Sequence, residues 1–158
     1  MRIFAVCFAL VLAQAGLAQG TQVAFGQAPQ DPSEPVEATS DELFIEEETG
    51  SAVFTGNVVI IQGDMRMSAE EVKVNYAQER KEIEQMLATG GVLIVSGEDA
   101  AEAQRADYNF ADRTIVMTGD VLMTQGPQVL SGEKLTIYLD DGTARMSGRV
   151  RTVLQDNN

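Results

Sequence analysis

From residue 41 onward, apolar residues alternate with polar ones in short runs. Period-two alternation predicts β-strands that bury one face. Turn-forming pairs separate the runs, among them Gly63-Asp64, Gly126-Pro127 and Asp141-Gly142. The pattern therefore predicts an all-β domain. The alternating runs are Leu43 and Ile45; Val72, Val74 and Tyr76; Ala106, Tyr108 and Phe110; and Leu135, Ile137 and Leu139.

A short phrase recurs in the same place relative to these runs: a hydroxyl residue, a glycine, a variable residue and a valine. Its copies start 34, 29 and 29 residues apart, at Thr55, Thr89, Thr118 and Ser147. A period near 30 predicts stacked structural units. In each unit the phrase opens a strand, and a glycine turn, a longer alternating strand and a short third strand follow. The extra residues at 79–84 account for the longer first spacing, since loops accept insertions.

The repeat predicts the secondary structure of residues 68–87 and the role of the glycine in the phrase. Residues 68–87 are rich in Glu, Lys, Arg and Gln, which favour helix, but the repeat predicts strand there and leaves room for one helical turn near residues 79–84. The glycine of the phrase is expected at a bend or bulge that a side chain would obstruct. The valine two residues later then becomes the first inward residue of a new rung.

Both ends of the predicted stack are cut through a unit. The first unit enters at residues 41–47, and the last stops after its first strand at 150–154. Open ends leave unpaired backbone donors and acceptors, to which another strand can add.

The inward positions of the repeat are mostly aliphatic residues and methionines. Such stripes usually form a dry core, but methionines adapt to irregular partners, and an interior open at both ends could hold lipid chains. The predicted inward set is Phe54, Val58, Ile60, Val72, Val74, Met86, Val92, Ile94, Tyr108, Phe110, Ile115, Met117, Val121, Met123, Leu135 and Ile137.

The start of the chain differs from the rest. Arg2, an apolar run from Ile3 to Leu12 and small residues up to Ala18 predict a secretory signal peptide over residues 1–18. A membrane anchor is the alternative, although the run is shorter than the ~20 residues that span a bilayer. The proline-containing residues 19–40 are expected to be a mobile leader. Residues 41–154 form the predicted β domain, and 155–158 a C-terminal tail.

Composition excludes several kinds of function. The formal net charge of −13 argues against a nucleic-acid partner. The chain has no histidine and one cysteine, Cys7, inside the apolar run, so we expect no metal site and no cofactor. Paired carboxylates such as Asp140 and Asp141 lie in turns, and Ser131 and Lys134 face opposite sides of a strand. The chain is therefore predicted to be non-enzymatic.

The repeat resembles a known family. The stretches TGNVVIIQGDMRMSAEEVKVNY, TGGVLIVSG and TGDVLMTQGPQVLSGEKLTIYLDDGTARMSGRV, preceded by a signal peptide, are similar to the LptA/OstA-type lipopolysaccharide-transport family over residues 39–154. The resemblance implies a twisted β-jellyroll of antiparallel strands, open at both ends, with a hydrophobic groove. It also implies a periplasmic protein of a Gram-negative bacterium that carries lipopolysaccharide from the inner to the outer membrane.

The same resemblance implies partners. Its members stack end to end with jellyroll domains of inner-membrane and outer-membrane components, and the stacking allows head-to-tail homo-oligomers. The expected partner edges carry Leu43 and Ile45 at one end, and Val150, Thr152 and Leu154 at the other. The acyl chains of lipid A would occupy the inward set. The alternatives are a structural or adhesive β-array with a dry core, and an inner-membrane-anchored relative of the same fold.

Overall fold

The computed structural model describes residues 20–26, 29–79 and 82–154, and all regular secondary structure in these ranges is β. The strands are β1 Thr21–Ala24, β2 Val36–Thr39, β3 Glu42–Glu46, β4 Ser51–Gln62, β5 Met65–Tyr76, β6 Ile83–Ser96, β7 Asp99–Asn109, β8 Thr114–Gln125, β9 Gln128–Tyr138, β10 Thr143–Ser147 and β11 Arg151–Leu154.

These strands form one antiparallel sheet with the order β1-β10-β9-β8-β7-β6-β5-β4-β2. Two further short strands lie beside this path, β11 on β9 and β3 on β4. From β4 to β10 each strand pairs with its neighbour in sequence, as a chain of hairpins does. The first and last hairpin strands do not pair with each other, so the sheet stays open, as expected for an open-ended jellyroll.

The glycine phrase bends the long strands, as the sequence predicts. The pairing register shifts between Thr118 and Val121 in β8, and at the matching positions of β4 and β6. Gly119 and Asp120 both have positive φ, of 84° and 49°, which forms the bulge. The sequence pattern predicts separate strands before and after the phrase, whereas the structure joins them into one bent strand.

The bends divide the sheet into two half-sheets, which share one buried core. Half-sheet A contains β1, β3, β10 and the parts of the long strands at 51–55, 71–76, 83–89, 105–109, 114–118 and 134–138. Half-sheet B contains β2, β11 and the parts at 58–62, 65–69, 92–96, 99–103, 121–125 and 128–132.

At both edges of the sheet the bent strand is replaced by two short ones. Gly148, in the fourth phrase, separates β10 from β11, and both pair with β9. Asp41 separates β2 from β3, and both pair with β4. The Asp41 amide donates to the carbonyl of Gly56 over 2.9 Å, and its carboxylate accepts from the Asn57 amide over 2.8 Å. The edges thus keep the geometry of the repeat.

The segment expected to be a mobile leader contributes two strands. In the described residues 20–26 and 29–40 the structure differs from that expectation, because β1 pairs with β10 and β2 pairs with β4. Phe25 is only 3% exposed. The reason is non-local pairing: four-residue strands carry too little alternation to stand out, and their partners lie far away in sequence. The predicted signal peptide and C-terminal tail fall outside the described residues.

The stretch with helical composition is strand, as the repeat predicts. Residues 68–76 belong to β5 and residues 83–87 to β6. The helical turn considered near residues 79–84 falls partly on positions 80 and 81, which are outside the described ranges.

One buried hydrogen bond joins the two half-sheets across the core. The Tyr108 hydroxyl in half-sheet A donates to Oε1 of Gln62 in half-sheet B over 3.0 Å. The Tyr108 ring stacks on Phe110, with centroids 3.9 Å apart and an angle of 13° between the planes. Burial raises the pKa of Tyr108 above its usual value, since the phenolate would lose its hydration. The hydroxyl therefore stays protonated and able to donate.

The two adjacent glycines of the second phrase allow the cost of backbone strain to be measured separately from the cost of steric crowding. A Cβ on Gly90 would lie 2.7 Å from Cβ of Glu70, whereas a Cβ on Gly91 would meet nothing within 4 Å. Both residues have positive φ, of 82° and 73°. We expect Gly91→Ala to lower the free energy of unfolding by about 1 kcal/mol through strain alone, and Gly90→Ala by about 2–4 kcal/mol. Urea unfolding measures both, and equal losses would contradict the crowded corner.

The cross-core hydrogen bond gives a second prediction. Tyr108→Phe keeps the ring stack but leaves Gln62 Oε1 without its donor, so the free energy of unfolding should fall by about 1–2 kcal/mol. Tyr138→Phe, at a partly exposed position on β9, is the control and should change little. Chemical denaturation of both variants checks this, and a Tyr108→Phe variant as stable as the parent would show that the bond adds nothing.

Candidate functional site

The interior is built from cross-strand ladders of inward side chains. One ladder in half-sheet A passes through Val74, Met86, Tyr108, Ile115 and Ile137, which are direct partners on successive strands. The matching ladder in half-sheet B passes through Ile60, Met67, Ile94, Ala101, Met123 and Leu130. Since side chains of a strand alternate between faces, the aligned register produces a continuous apolar lining along the stack.

The structure brings the sixteen predicted inward residues together in one core. Fourteen are buried, while Phe54 and Phe110 are partly buried and pack against the others. Their role in lipid binding remains a prediction. The small inward residues were not predicted, because single-residue hydrophobicity does not mark them, although the repeat could have indicated them. These are Ala52, Ala69, Ala88, Ala101, Ala103 and Ala144, whereas Ala106 belongs to a predicted alternating run.

The N-terminal end of the lining is open to solvent. Leu43 and Ile45 pair with Phe54 and Ala52 and therefore share the inward face, yet they are 52% and 63% exposed. Phe44 lies between them on the outer face and is 65% exposed. Leu43 and Ile45 were predicted at this edge but Phe44 was not, because an outward aromatic breaks the alternation. β3 is thus an edge strand with apolar side chains on both faces.

The C-terminal end differs between its two half-sheets. In half-sheet B, β11 is the outermost strand of the described chain, and Thr152 and Leu154 are exposed. Val150 is partly buried and packs against the core. In half-sheet A, β1 pairs with the side of β10 that faces away from β9. Thr152 and Leu154 thus lie on the edge strand β11, and Val150 lies directly before it, while β1 is the edge strand of half-sheet A in the described chain. Their contact with a partner remains a prediction.

The residues between β1 and β2 tie the two half-sheets together on the side opposite the bends. We call this side, where the hairpin turns of both half-sheets lie, the mouth. The Phe25 amide donates to the Gly142 carbonyl in a turn of half-sheet A over 2.9 Å. The next amide, of Gly26, donates to Asp99 Oδ2 in half-sheet B over 2.8 Å. Phe25 enters the core beside these bonds.

Gln30 makes the same connection further along the mouth. Its amide donates to the Leu139 carbonyl over 3.1 Å, and its side chain donates to the Ser96 hydroxyl over 3.3 Å. Its carbonyl accepts a 2.6 Å bond from Arg113 Nη2, and Arg113 also pairs with Asp140. The described residues 25, 26 and 29–35 therefore lie across the mouth, bonded to both half-sheets.

Charge in the described chain lies mainly on the outside. The exposed Asp31 has its pKa held below the usual value by hydrogen bonds from the hydroxyl and the backbone amide of Ser33. Arg149 pairs with Glu133 over 3.5 Å at the last bend, and both side chains are exposed. Ser131 lies in half-sheet B and Lys134 in half-sheet A, on opposite sides of a bend. Within the described residues, the arrangement places apolar side chains on the inward face of both half-sheets.

Two kinds of feature are absent from the part of the chain that the structure describes. Within residues 20–26, 29–79 and 82–154, no three Asp, Glu, His or Cys side chains group as they would around a metal ion. No helix in those ranges has the length and apolar character needed to span a bilayer.

The sequence and the fold both match known proteins. Residues 37–143 match the family described as LptA/(LptD N-terminal domain) LPS transport protein. An uncharacterized protein of Rhizobium meliloti (strain 1021) is 29% identical over 157 residues, covering 92% of this chain and 84% of that protein. Lipopolysaccharide export system protein LptA of Escherichia coli (strain K12) is 25% identical over 143 residues, covering 81% and 77%.

Among solved structures, the fold is similar to LptH of Pseudomonas aeruginosa, described as the LptA homologous periplasmic component of a lipopolysaccharide transport device. The TM-score is 0.72 at 17% identity, over 81% of this chain and all of that one. At this identity the likeness shows the fold. The family match spans most of the chain, including β4 to β9 and their shared lining. The chain belongs to the LptA/(LptD N-terminal domain) family of LPS transport proteins.

Proposed function

We propose that this protein is a periplasmic bridge that shields the acyl chains of lipopolysaccharide and passes them between inner-membrane and outer-membrane components. The observation that carries the proposal is the continuous apolar lining, which runs through every long strand and reaches solvent at Leu43 and Ile45. Family membership supports the same function. The predicted signal peptide supports export to the periplasm.

The energetics of acyl chains explain why a lining suffices and a reactive site is not needed. Each buried methylene is stabilised by about 0.8 kcal/mol, so a chain of about a dozen carbons represents on the order of 10 kcal/mol. Release into water is therefore slow. A lining that continues from one domain to the next exchanges equivalent contacts, so movement along it changes the free energy little. The protein would lower a barrier without making or breaking bonds.

The interior must open to admit a chain. Ile94, Met123 and Ile115 have no exposed surface in the structure, so the half-sheets have to separate or the lipid has to enter at an end. Separation at the mouth breaks the Gly26–Asp99 and Gln30–Ser96 bonds, while the bends act as the hinge. The inward residues at the N-terminal end are accessible without any such movement. They are the first contacts that an arriving chain would make.

The edges would provide the contacts to partners. In the described chain, the outer sides of β3 and β2 at one end, and of β11 at the other, pair with no strand, so their backbone groups can extend the sheet by strand addition. A jellyroll domain of the same type could add at either end, which gives both heterotypic bridges and head-to-tail copies of this chain.

The alternating faces of β3 give a direct test of the lipid lining. A photocrosslinking residue at position 43 or 45 points inward, whereas the same residue at position 44 points outward at a similar exposed fraction. With purified lipopolysaccharide and dilute protein, we expect adducts at 43 and 45 to exceed those at 44 by about tenfold or more, since only one face is part of the lining.

The same experiment separates the competing functions. Adducts at all three positions in equal yield would indicate non-specific association with lipid. No adduct at any position, with a protein that still folds, would favour a structural or adhesive array whose interior stays dry.

A further inference from the structure

β1 occupies the position that the next repeat unit of a stacked copy would take. β10 pairs with β9 on one side and with β1 on the other. In the described chain, β11 pairs with β9 on one side and with no strand on the other. In the described chain, half-sheet A therefore ends in β1 and half-sheet B ends one strand earlier, in β11. At the N-terminal end, the outer sides of β2 and β3 carry no strand in the described chain. In a stack of repeat units without β1, both half-sheets would end at the same level.

The register of the repeat specifies which strand would extend β10. Within the chain, β3 pairs with β4 so that Leu43 lies opposite Phe54 and Ile45 opposite Ala52. The phrases at Gly56 and Gly148 make Phe54 equivalent to Met146, and Ala52 equivalent to Ala144. A second copy that continues the repeat therefore places its β3 along β10, with Leu43 opposite Met146 and Ile45 opposite Ala144.

β1 pairs with the same residues of β10 through side chains that offer less apolar surface. It sets Thr21 opposite Met146 and Val23 opposite Ala144. The inward pair is thus one threonine and one valine, where a second copy would bring leucine and isoleucine. Because burial of apolar surface drives such pairing, β3 of a second copy is the better match. Leu43 and Ile45 are more than half exposed in the single chain, so they gain cover on docking.

Charge favours the same exchange. On the outer face, Arg145 lies opposite Gln22 of β1. In the stacked register it would lie opposite Phe44 and diagonal to Glu42 and Glu46, positions from which cross-strand charges attract. β1 offers Arg145 no carboxylate.

We propose that β1 is an internal cap on β10, which β3 of a second copy of this chain displaces when copies stack head to tail. The proposal rests on the edge stacking put forward above and adds a strand, β1, that regulates this stacking. The free edge of β11 meets β2 of the incoming copy first, and β3 then replaces β1 along β10. Since Phe25 directly follows β1, displacement also withdraws Phe25 from the core and loosens the mouth.

A reversible covalent staple tests the cap. Ala24 and Thr143 are direct partners at the mouth end of the β1–β10 pair. Direct antiparallel partners have Cα atoms about 4.5–5.5 Å apart, which a disulfide can span. In the Ala24→Cys/Thr143→Cys variant, oxidation locks β1 and reduction frees it, with every other residue unchanged. By sedimentation velocity, we expect the oxidised form to need about tenfold or more higher concentration to assemble than the reduced form, the equivalent of one unit in log Kd.

A loosened cap gives the opposite result. Val23→Ser removes the inward apolar contact of β1, and Gln22→Ser makes the same residue on its outer face as the control. We expect Val23→Ser to assemble at lower concentration than the parent, and Gln22→Ser to assemble close to it. Thermal unfolding of each variant checks that the remaining sheet is intact.

Each outcome decides the cap separately from the lipid function. Equal assembly of the oxidised and reduced forms overturns the cap, and so does a failure of the parent and of Val23→Ser to assemble at any concentration. If lipopolysaccharide crosslinks at positions 43 and 45 but the staple has no effect on assembly, the lipid lining is supported and the cap is overturned. If the staple hinders assembly but the protein captures no lipopolysaccharide, the cap is supported and the proposed transport function is overturned.

Discussion

The left-handed backbone at each glycine phrase is the constraint on which the rest of the structure depends. A strand that continued straight would spread its apolar face over a flat sheet with water on both sides. At Gly119 and Asp120 the positive φ values turn the chain instead, and Val121 becomes the first inward residue beyond the bend. Because each copy of the phrase lies beside the next, the bends align and the two half-sheets enclose one core. The inward ladders then run uninterrupted along the stack.

The repeat makes much of this predictable. Its spacing indicates the hairpins, its alternation indicates the face, and together they place residues such as Met86 and Ile115 in the same interior. Resemblance to the family adds the open-ended jellyroll. The strand nature of residues 68–76 also follows from the repeat, against their composition. These features depend on local pattern, and local pattern is what a sequence displays.

The parts that the sequence did not predict depend on distant pairing. β1 has one half-buried valine, and nothing near Val23 in sequence suggests that Ala144 is its partner. Phe25 and the prolines that follow read as a linker, because the bonds that order them end on Asp99, Ser96 and Leu139. The Tyr108–Gln62 bond is similar: it joins residues 46 positions apart that lie on different half-sheets. Burial and hydrogen bonding of these residues become visible only in the folded chain.

An open stack of strands has opposing needs, and the described residues from β1 to β2 address both. In the proposed function its edges stay available for the next domain, yet an unpaired edge invites irregular association. The proposed function also requires its interior to accept acyl chains, yet an empty apolar trough would not stay open in water. One segment that runs from β10 across the mouth to β4 covers part of an edge and fills part of the interior with Phe25. Since the same covalent segment does both, an incoming strand that removes it from β10 also acts on the mouth. In the proposed assembly, the free energy of strand pairing would thereby be available for opening the lining, and the lining would open next to the copy that has docked.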